Sequence, residues 1–272
     1  MPELPEVETI VCELNPLIVG KRVTYVHVAW PGSVAGATPE EFAARLIGQR
    51  IAGLTRRGKF LVFQLASGEL MLAHLRMTGR LLLRSRTAPE DRFAKVVIGL
   101  EGDEELRFTD IRKFGRLQLA SAEEAKASFS QLGPEPLTDE FCAEDLRRIF
   151  AKHKAPLKSL LLNQTLLAGV GNIYADEALF LARLHPERRP DSLSAADWQR
   201  LHEGIRRALR EGIEDRGTTF SNYRDGRGRP GSHQESLSVY RRTGQACPRC
   251  GATVERTVVS GRSTHYCPRC QA

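Results

Sequence analysis

The chain opens Met-Pro-Glu-Leu-Pro-Glu, which sets a proline and a carboxylic acid where an amine and a proton carrier could work together. With Met1 removed, Pro2 presents a free secondary amine beside Glu3. An α-amine titrates near ~7.7–8.0, against ~10.4 for lysine, so part of it is unprotonated and nucleophilic at neutral pH. Such an amine adding to a sugar C1′ gives an imine and needs neither metal nor redox cofactor. Glu3 can move the protons, and Glu6 lies one helical turn further on. With Met1 attached, the Pro2 nitrogen is a tertiary amide and cannot attack. On its own the stretch also reads as a capped helix with acidic residues in its first turn.

Cys247, Cys250, Cys267 and Cys270 form C-x2-C-x16-C-x2-C, the spacing of a four-thiolate zinc site. Two such knuckles supply a closed tetrahedral shell, so the metal is structural and not catalytic. Cys12 and Cys142 have no partner pattern and read as small buried apolar residues. Arg262 falls at the tip of a hairpin between the knuckles, where a zinc clamp would hold it rigidly; otherwise it is a solvated charge. In "LLAGVGNIYADEALF" (166–180) a Gly-x-Gly turn leads into Asn172 and a new helix. Helix N-termini favour anions; Asn172 could cap the helix or donate to a phosphate, and Lys154 and Lys158 upstream favour the phosphate reading. Met77 in "HLRMTGR" and Arg112 and Phe114 in "DIRKFGRL" could project as wedges that fill the hole left by an extracted base, or could simply pack in a core.

Elements must position these groups. Apolar residues recur at helical spacing from Pro5 to Val19, with Gly20 as the stop and Pro16 as a point of ending or bending. Short β-type runs follow at 22–28, 59–65, 70–75, 80–83, 94–100, 105–109 and 116–119, which predicts an antiparallel β-sandwich. "LGPEPLTDE" (132–140) marks a boundary, with Thr138-Asp139-Glu140 as a capped helix start. Ser194-x-x-Asp197 is a capping box for a helix that ends at Gly217. "RDGRGRPGSH" (224–233) reads as a mobile loop.

Composition agrees with a DNA partner without demanding it. The 272 residues carry a net charge of +7, and six arginines against one glutamate lie between Tyr240 and Ala272. No apolar run approaches the ~20 residues that span a bilayer, and the acidic start is not an export signal.

Together "PELPEVET", "RRGKF", "HLRMTGR", "DIRKFGRL", "LGPEPL", "AGVGNIYADEALF" and the arginine-bearing zinc finger resemble, in order and over Pro2 to Gln271, the bacterial formamidopyrimidine-DNA glycosylases. The resemblance implies an α+β fold. Residues 1–133 would form the catalytic β-sandwich with flanking helices. Residues 134–237 would form a helix–two-turns–helix domain with a lesion-capping loop at about 217–236, and 238–272 the β-hairpin zinc finger. It implies excision of oxidised purines from double-stranded DNA and cleavage at abasic sites, by a cytoplasmic, nucleoid-associated monomer with one structural Zn2+ and no redox or organic cofactor. Pro2 would attack C1′, Glu3 handle protons, and Lys59 and Arg262 contact phosphates and assist elimination. His74, Arg112, Lys154, Lys158 and Asn172 would bind DNA. Met77, Arg112 and Phe114 would fill the void, with Arg112 facing the orphaned cytosine. Glu6, Thr218 and Tyr223 would line the lesion pocket. Arg76 replaces a glycine usual in the family, and Arg92-Phe93 stands where some members have a DNA-contacting histidine. The alternatives are an endonuclease VIII-type enzyme for oxidised pyrimidines and a zinc-ribbon DNA-binding protein without chemistry.

Overall fold

The computed structural model describes residues 1–272. It divides into two compact units, Met1–Gln131 with Asp215–Gln234, and Leu132–Glu214 with Glu235–Ala272.

The first unit begins with α1 (Leu4–Ile18), β1 (Val23–Val28), β2 (Val34–Ala35) and α2 (Pro39–Leu46). It continues with β3 (Ile51–Arg57), β4 (Phe60–Leu65), β5 (Leu70–His74), β6 (Gly79–Ser85), β7 (Ala94–Leu100), β8 (Glu104–Asp110), β9 (Arg116–Ala120) and α3 (Ala122–Phe129). Two sheets form, β1-β7-β8-β6 and β2-β9-β5-β4-β3. Every pairing is antiparallel except the two-residue β2–β9 contact. One apolar core joins both sheets to α1 and α2, from Val7, Ile10 and Leu14 through Phe63 and Phe108 to Phe42. The outer face of the five-stranded sheet buries Val62 and Leu72 under α3.

α1 follows its apolar spacing. The Glu3 amide donates to Glu6 Oε2 at 2.8 Å, closing a capping box. Pro16 does not stop the helix, because it sits in the last turn and removes only one ladder hydrogen bond. β3 escapes the strand pattern: a register shift between Ile51 and Gly53 interrupts its alternation, and Gly53 makes room for the Gln64 side chain.

The second unit contains α4 (Ala143–Phe150), α5 (Leu157–Leu162), α6 (Asn172–Ala182), α7 (Ala195–Glu214), and the hairpin β10 (Glu255–Val259) with β11 (Arg262–Tyr266). α6 is apolar on nearly every side and buried. α7 approaches it closely, and a Cβ at Gly212 would lie 2.4 Å from the Tyr174 ring. The Ser194–Asp197 box forms as expected, with Ser194 N–H to Asp197 Oδ2 at 2.9 Å and Asp197 N–H to Ser194 Oγ at 3.2 Å.

Three expectations need correction. The helix after the boundary starts at Ala143, not at Thr138; the Cys142 amide donates to Asp145 Oδ2, while Arg206 takes the Thr138 carbonyl into a turn. Cys12 and Cys142 are exposed, each beside a carboxylate, Glu8 and Asp145. α7 ends at Glu214, three residues before Gly217. By their contacts, residues 215–234 group with the first unit and the zinc-finger segment groups with the helices of the second.

The 224–233 stretch is also fastened. Its buried Asp225 receives Arg216 and Arg229, and Glu13 of α1 meets Arg216 at 2.6 Å and Arg229 at 2.7 Å. The Leu83 amide of β6 donates to the Gly226 carbonyl at 2.8 Å.

Candidate functional site

In the first unit the α1 N-terminus carries Pro2 and Glu3, both buried, at the positive end of a helix dipole. α1 packs on β3 and β4, and the turn joining those two strands holds Lys59, itself buried, after Gly58 at φ +56°. His74, at the end of β5, stacks edge-on against Phe60 at 4.6 Å. Its Nδ1 accepts the Arg76 amide at 3.1 Å, which assigns the neutral proton to Nε2 as an available donor. Burial, with the charges of Arg76 and Lys59, pulls the His74 pKa down to about 3. This imidazole is therefore neutral, with Nε2 as a hydrogen-bond donor. Arg76 occupies φ +53°, the left-handed region that favours glycine.

Glu6, Thr218 and Tyr223 are brought together. Glu6 Oε1 accepts the Thr218 amide at 2.7 Å, and the Tyr223 hydroxyl donates to the Glu6 carbonyl at 3.3 Å. Burial, then the Glu6 carboxylate, push the Tyr223 pKa up. Glu6 thus ties the start of α1 to the 215–234 segment. Gly217 sits at φ +83°, and a Cβ there would be 2.9 Å from Glu6 Cγ.

Met77 and Phe114 are not core. They are 41% and 49% exposed, and the Arg112 guanidinium lies 4.8 Å from the Phe114 ring centroid. A buried carboxylate that sequence reasoning missed, Asp110, staples the two loops that bear them. It accepts the Thr78 hydroxyl, the Arg112 amide at 3.2 Å and the Gly115 amide at 2.7 Å. Asp110→Ala leaves the buried Gly115 N–H unsatisfied, at a cost of about 2 kcal/mol. Calorimetry should show the lower Tm, and excision from duplex should fall more than cleavage of a preformed abasic site. Arg92 rests over Phe93, 5.6 Å from its centroid.

In the second unit Lys154 and Arg262 are exposed. Arg262 opens β11 beside the Ser260-Gly261 turn, paired with Val259. Lys158 is not a phosphate ligand. Its side chain is 0% exposed, its Nζ lies 2.6 Å from Asp176 Oδ1, and it donates to the Ser263 carbonyl at 2.7 Å. A charge so enclosed cannot reach a DNA backbone. Asn172 does not cap α6; Gly171 holds that position, and Asn172 Nδ2 donates to the same Ser263 carbonyl at 3.0 Å. A second residue missed from sequence, Glu177 on α6, accepts the amides of Ser238, Val239 and Tyr240 at 2.8–2.9 Å and so fastens the approach to the zinc finger.

The sulfurs of Cys247, Cys250, Cys267 and Cys270 all lie within 4.8 Å of one another, with Cys250–Cys267 at 3.5 Å and Cys247–Cys270 at 3.9 Å. A tetrahedral zinc with ~2.3 Å bonds separates its sulfurs by about 3.8 Å. The donor set and the spacing fit a four-thiolate zinc ion.

Comparison with known proteins extends these observations. Residues 1–117 match the family model of the formamidopyrimidine-DNA glycosylase N-terminal domain. Residues 132–223 match that of the formamidopyrimidine-DNA glycosylase H2TH domain, and 244–272 that of the zinc finger found in FPG and IleRS. The chain is 46% identical to the formamidopyrimidine-DNA glycosylases of Herpetosiphon aurantiacus and Geobacillus kaustophilus, with all of each chain covered. It superimposes with a TM-score of 0.93 and 37% identity, over 99% of both chains, on Lactococcus lactis FPG structures solved with DNA containing Fapy-dG and with DNA containing an abasic site. No helix is long and apolar enough to cross a membrane.

Proposed function

The chain belongs to the formamidopyrimidine-DNA glycosylase family, and on that premise we propose that it excises oxidised purines, 8-oxoguanine and formamidopyrimidines, from duplex DNA and then cuts the strand at the resulting abasic site. The observation that carries this reading is the α1 N-terminus, where Pro2 and Glu3 are buried at the head of a capped helix instead of trailing as a loose end.

The chemistry requires Met1 to be removed. The Pro2 amine then attacks C1′, the glycosidic C–N bond breaks, and the base leaves with a proton. The sugar ring opens to give an iminium between Pro2 nitrogen and C1′. A secondary amine leaves no N–H to lose, so this species stays cationic and acts as an electron sink. Loss of the C2′ proton expels the 3′ phosphate, and a second elimination expels the 5′ phosphate. Glu3 moves protons during base loss and imine formation. Lys59, Arg262, Asn172, Lys154 and neutral His74 engage the backbone, and such contacts set affinity, not lesion choice. Met77, Arg112 and Phe114 occupy the space vacated by the extruded nucleotide. Glu6, Thr218 and Tyr223, with the 217–236 loop, line the lesion pocket.

One structural zinc held by the four cysteines supports the hairpin that bears Arg262; no other cofactor takes part. The enzyme acts as a monomer in the cytoplasm, on the nucleoid. The test compares single-turnover excision of 8-oxoguanine opposite cytosine with that of thymine glycol. Faster excision of 8-oxoguanine is expected, and faster excision of thymine glycol would move the chain to the pyrimidine-specific branch.

A further inference from the structure

The burial of Lys158 raises the question of what a fully enclosed ammonium does beneath a hairpin that bears a surface arginine. The answer lies in the segment it holds. Residues 260–265 of the hairpin are gripped at three points by α5 and α6. Ser159 Oγ meets Ser260 Oγ at 2.6 Å. Lys158 Nζ at 2.7 Å and Asn172 Nδ2 at 3.0 Å both donate to the Ser263 carbonyl. Asp176 Oδ2 accepts the His265 amide at 2.9 Å and lies 3.1 Å from His265 Nδ1. Asp176 also neutralises Lys158. Thr264, buried between these points, turns its hydroxyl back to the Arg262 carbonyl at 3.0 Å. Arg262 itself points outward and makes no part of the clamp.

We propose that Lys158, paired with Asp176, is a positioning residue for Arg262: it fixes the Ser263 carbonyl, and with it the register and direction from which the arginine leaves the strand. A neutral hydrogen-bond donor could fill the same space, but a lysine is charged and drawn to both Asp176 and a carbonyl, so the hairpin resists being pulled when Arg262 binds an anion. The inference rests on the reading of Arg262 as a phosphate-gripping residue.

The test is a double-mutant cycle on the zinc-loaded full chain. Lys158→Met, Arg262→Ala and the double variant are compared for single-turnover strand cleavage and for the slope of log affinity against log salt. Because Lys158→Met strands a buried carboxylate, Lys158→Met/Asp176→Asn is carried as a second background with no uncompensated charge. Misplacing one catalytic contact by about 1 Å can cost about 10²-fold, and that is the loss expected for Lys158→Met. Each single substitution should lower the salt slope by about 0.9, one phosphate contact. The double variant should be no slower than Arg262→Ala and should lose the same 0.9. Multiplying rate losses, or a slope loss near 1.8, would show Lys158 acting on its own and overturn the inference while leaving Arg262 in place. Lys158→Met at the wild-type rate overturns it as well. Arg262→Ala at the wild-type rate and slope overturns the underlying reading, and the inference falls with it.

Discussion

A single residue added ahead of Pro2 is expected to abolish strand cleavage while leaving DNA binding within a few-fold of the parent. The extension turns the Pro2 nitrogen into a tertiary amide, whose lone pair is delocalised into the carbonyl. The free amine, by contrast, keeps its lone pair on nitrogen and available to attack. The expected loss is on the order of 10³-fold or more in single-turnover cleavage, equivalent to about 4 kcal/mol of transition-state stabilisation. Binding should survive because the phosphate contacts proposed for Lys59, His74 and Arg262 do not involve the amine. The comparison is made with protein whose N-terminus has been sequenced, on duplex carrying 8-oxoguanine opposite cytosine. Cleavage at an unchanged rate would remove Pro2 as the nucleophile. Pro2→Gly is a poorer probe, since an N-terminal glycine is also an amine.

Removing zinc is the second change with a large expected effect. Structural zinc in small domains is worth about 10–16 kcal/mol of binding energy that is also folding energy, and an isolated two-stranded hairpin is marginal in water. β10 and β11 have five residues each, so the contacts from α5 and α6 hold their tip only while the thiolate shell closes the base of the hairpin. Chelation, or Cys247→Ser, should unfold the hairpin and free Arg262. We expect strand cleavage to fall by about 10²-fold or more and the salt slope to drop, with zinc restoring the chelated protein but not the serine variant. The metal content is read by elemental analysis alongside activity. Folded, active protein with no zinc would refute the assignment of the four cysteines.

Much of this molecule is visible in its sequence because the signals are local. The α1 apolar spacing, the Ser194–Asp197 box and the two cysteine knuckles each act over a few residues, and all three form where they are expected. What is hidden depends on partners distant in the chain. Lys158 reads as a phosphate ligand from its charge and its place before a Gly-x-Gly turn; only the fold reveals that Asp176 and Ser263, 18 and 105 residues away, enclose it. Asp176 and Glu177 stand as two adjacent acids in an otherwise apolar helix, which is the one hint that buried carboxylates are holding the zinc-finger segment. Asp110 gives no such hint, because its work depends on Thr78, 32 residues earlier. The 224–233 run looks like linker from its glycines and arginines, yet Arg227 and Arg229 pair with Glu13, and Arg229 also with Asp225. β3 fails the alternation test because a bulge shifts its register.

On the proposed mechanism the Pro2 amine forms a covalent imine with C1′ of the damaged nucleotide. Borohydride reduction of a reaction between the protein and duplex DNA carrying 8-oxoguanine opposite cytosine, followed by peptide mass mapping, tests it most directly. A stable adduct is expected on a peptide that begins at Pro2 and lacks Met1. An adduct mapped to an internal lysine, or no adduct from zinc-loaded, DNA-binding protein that has lost Met1, would contradict it.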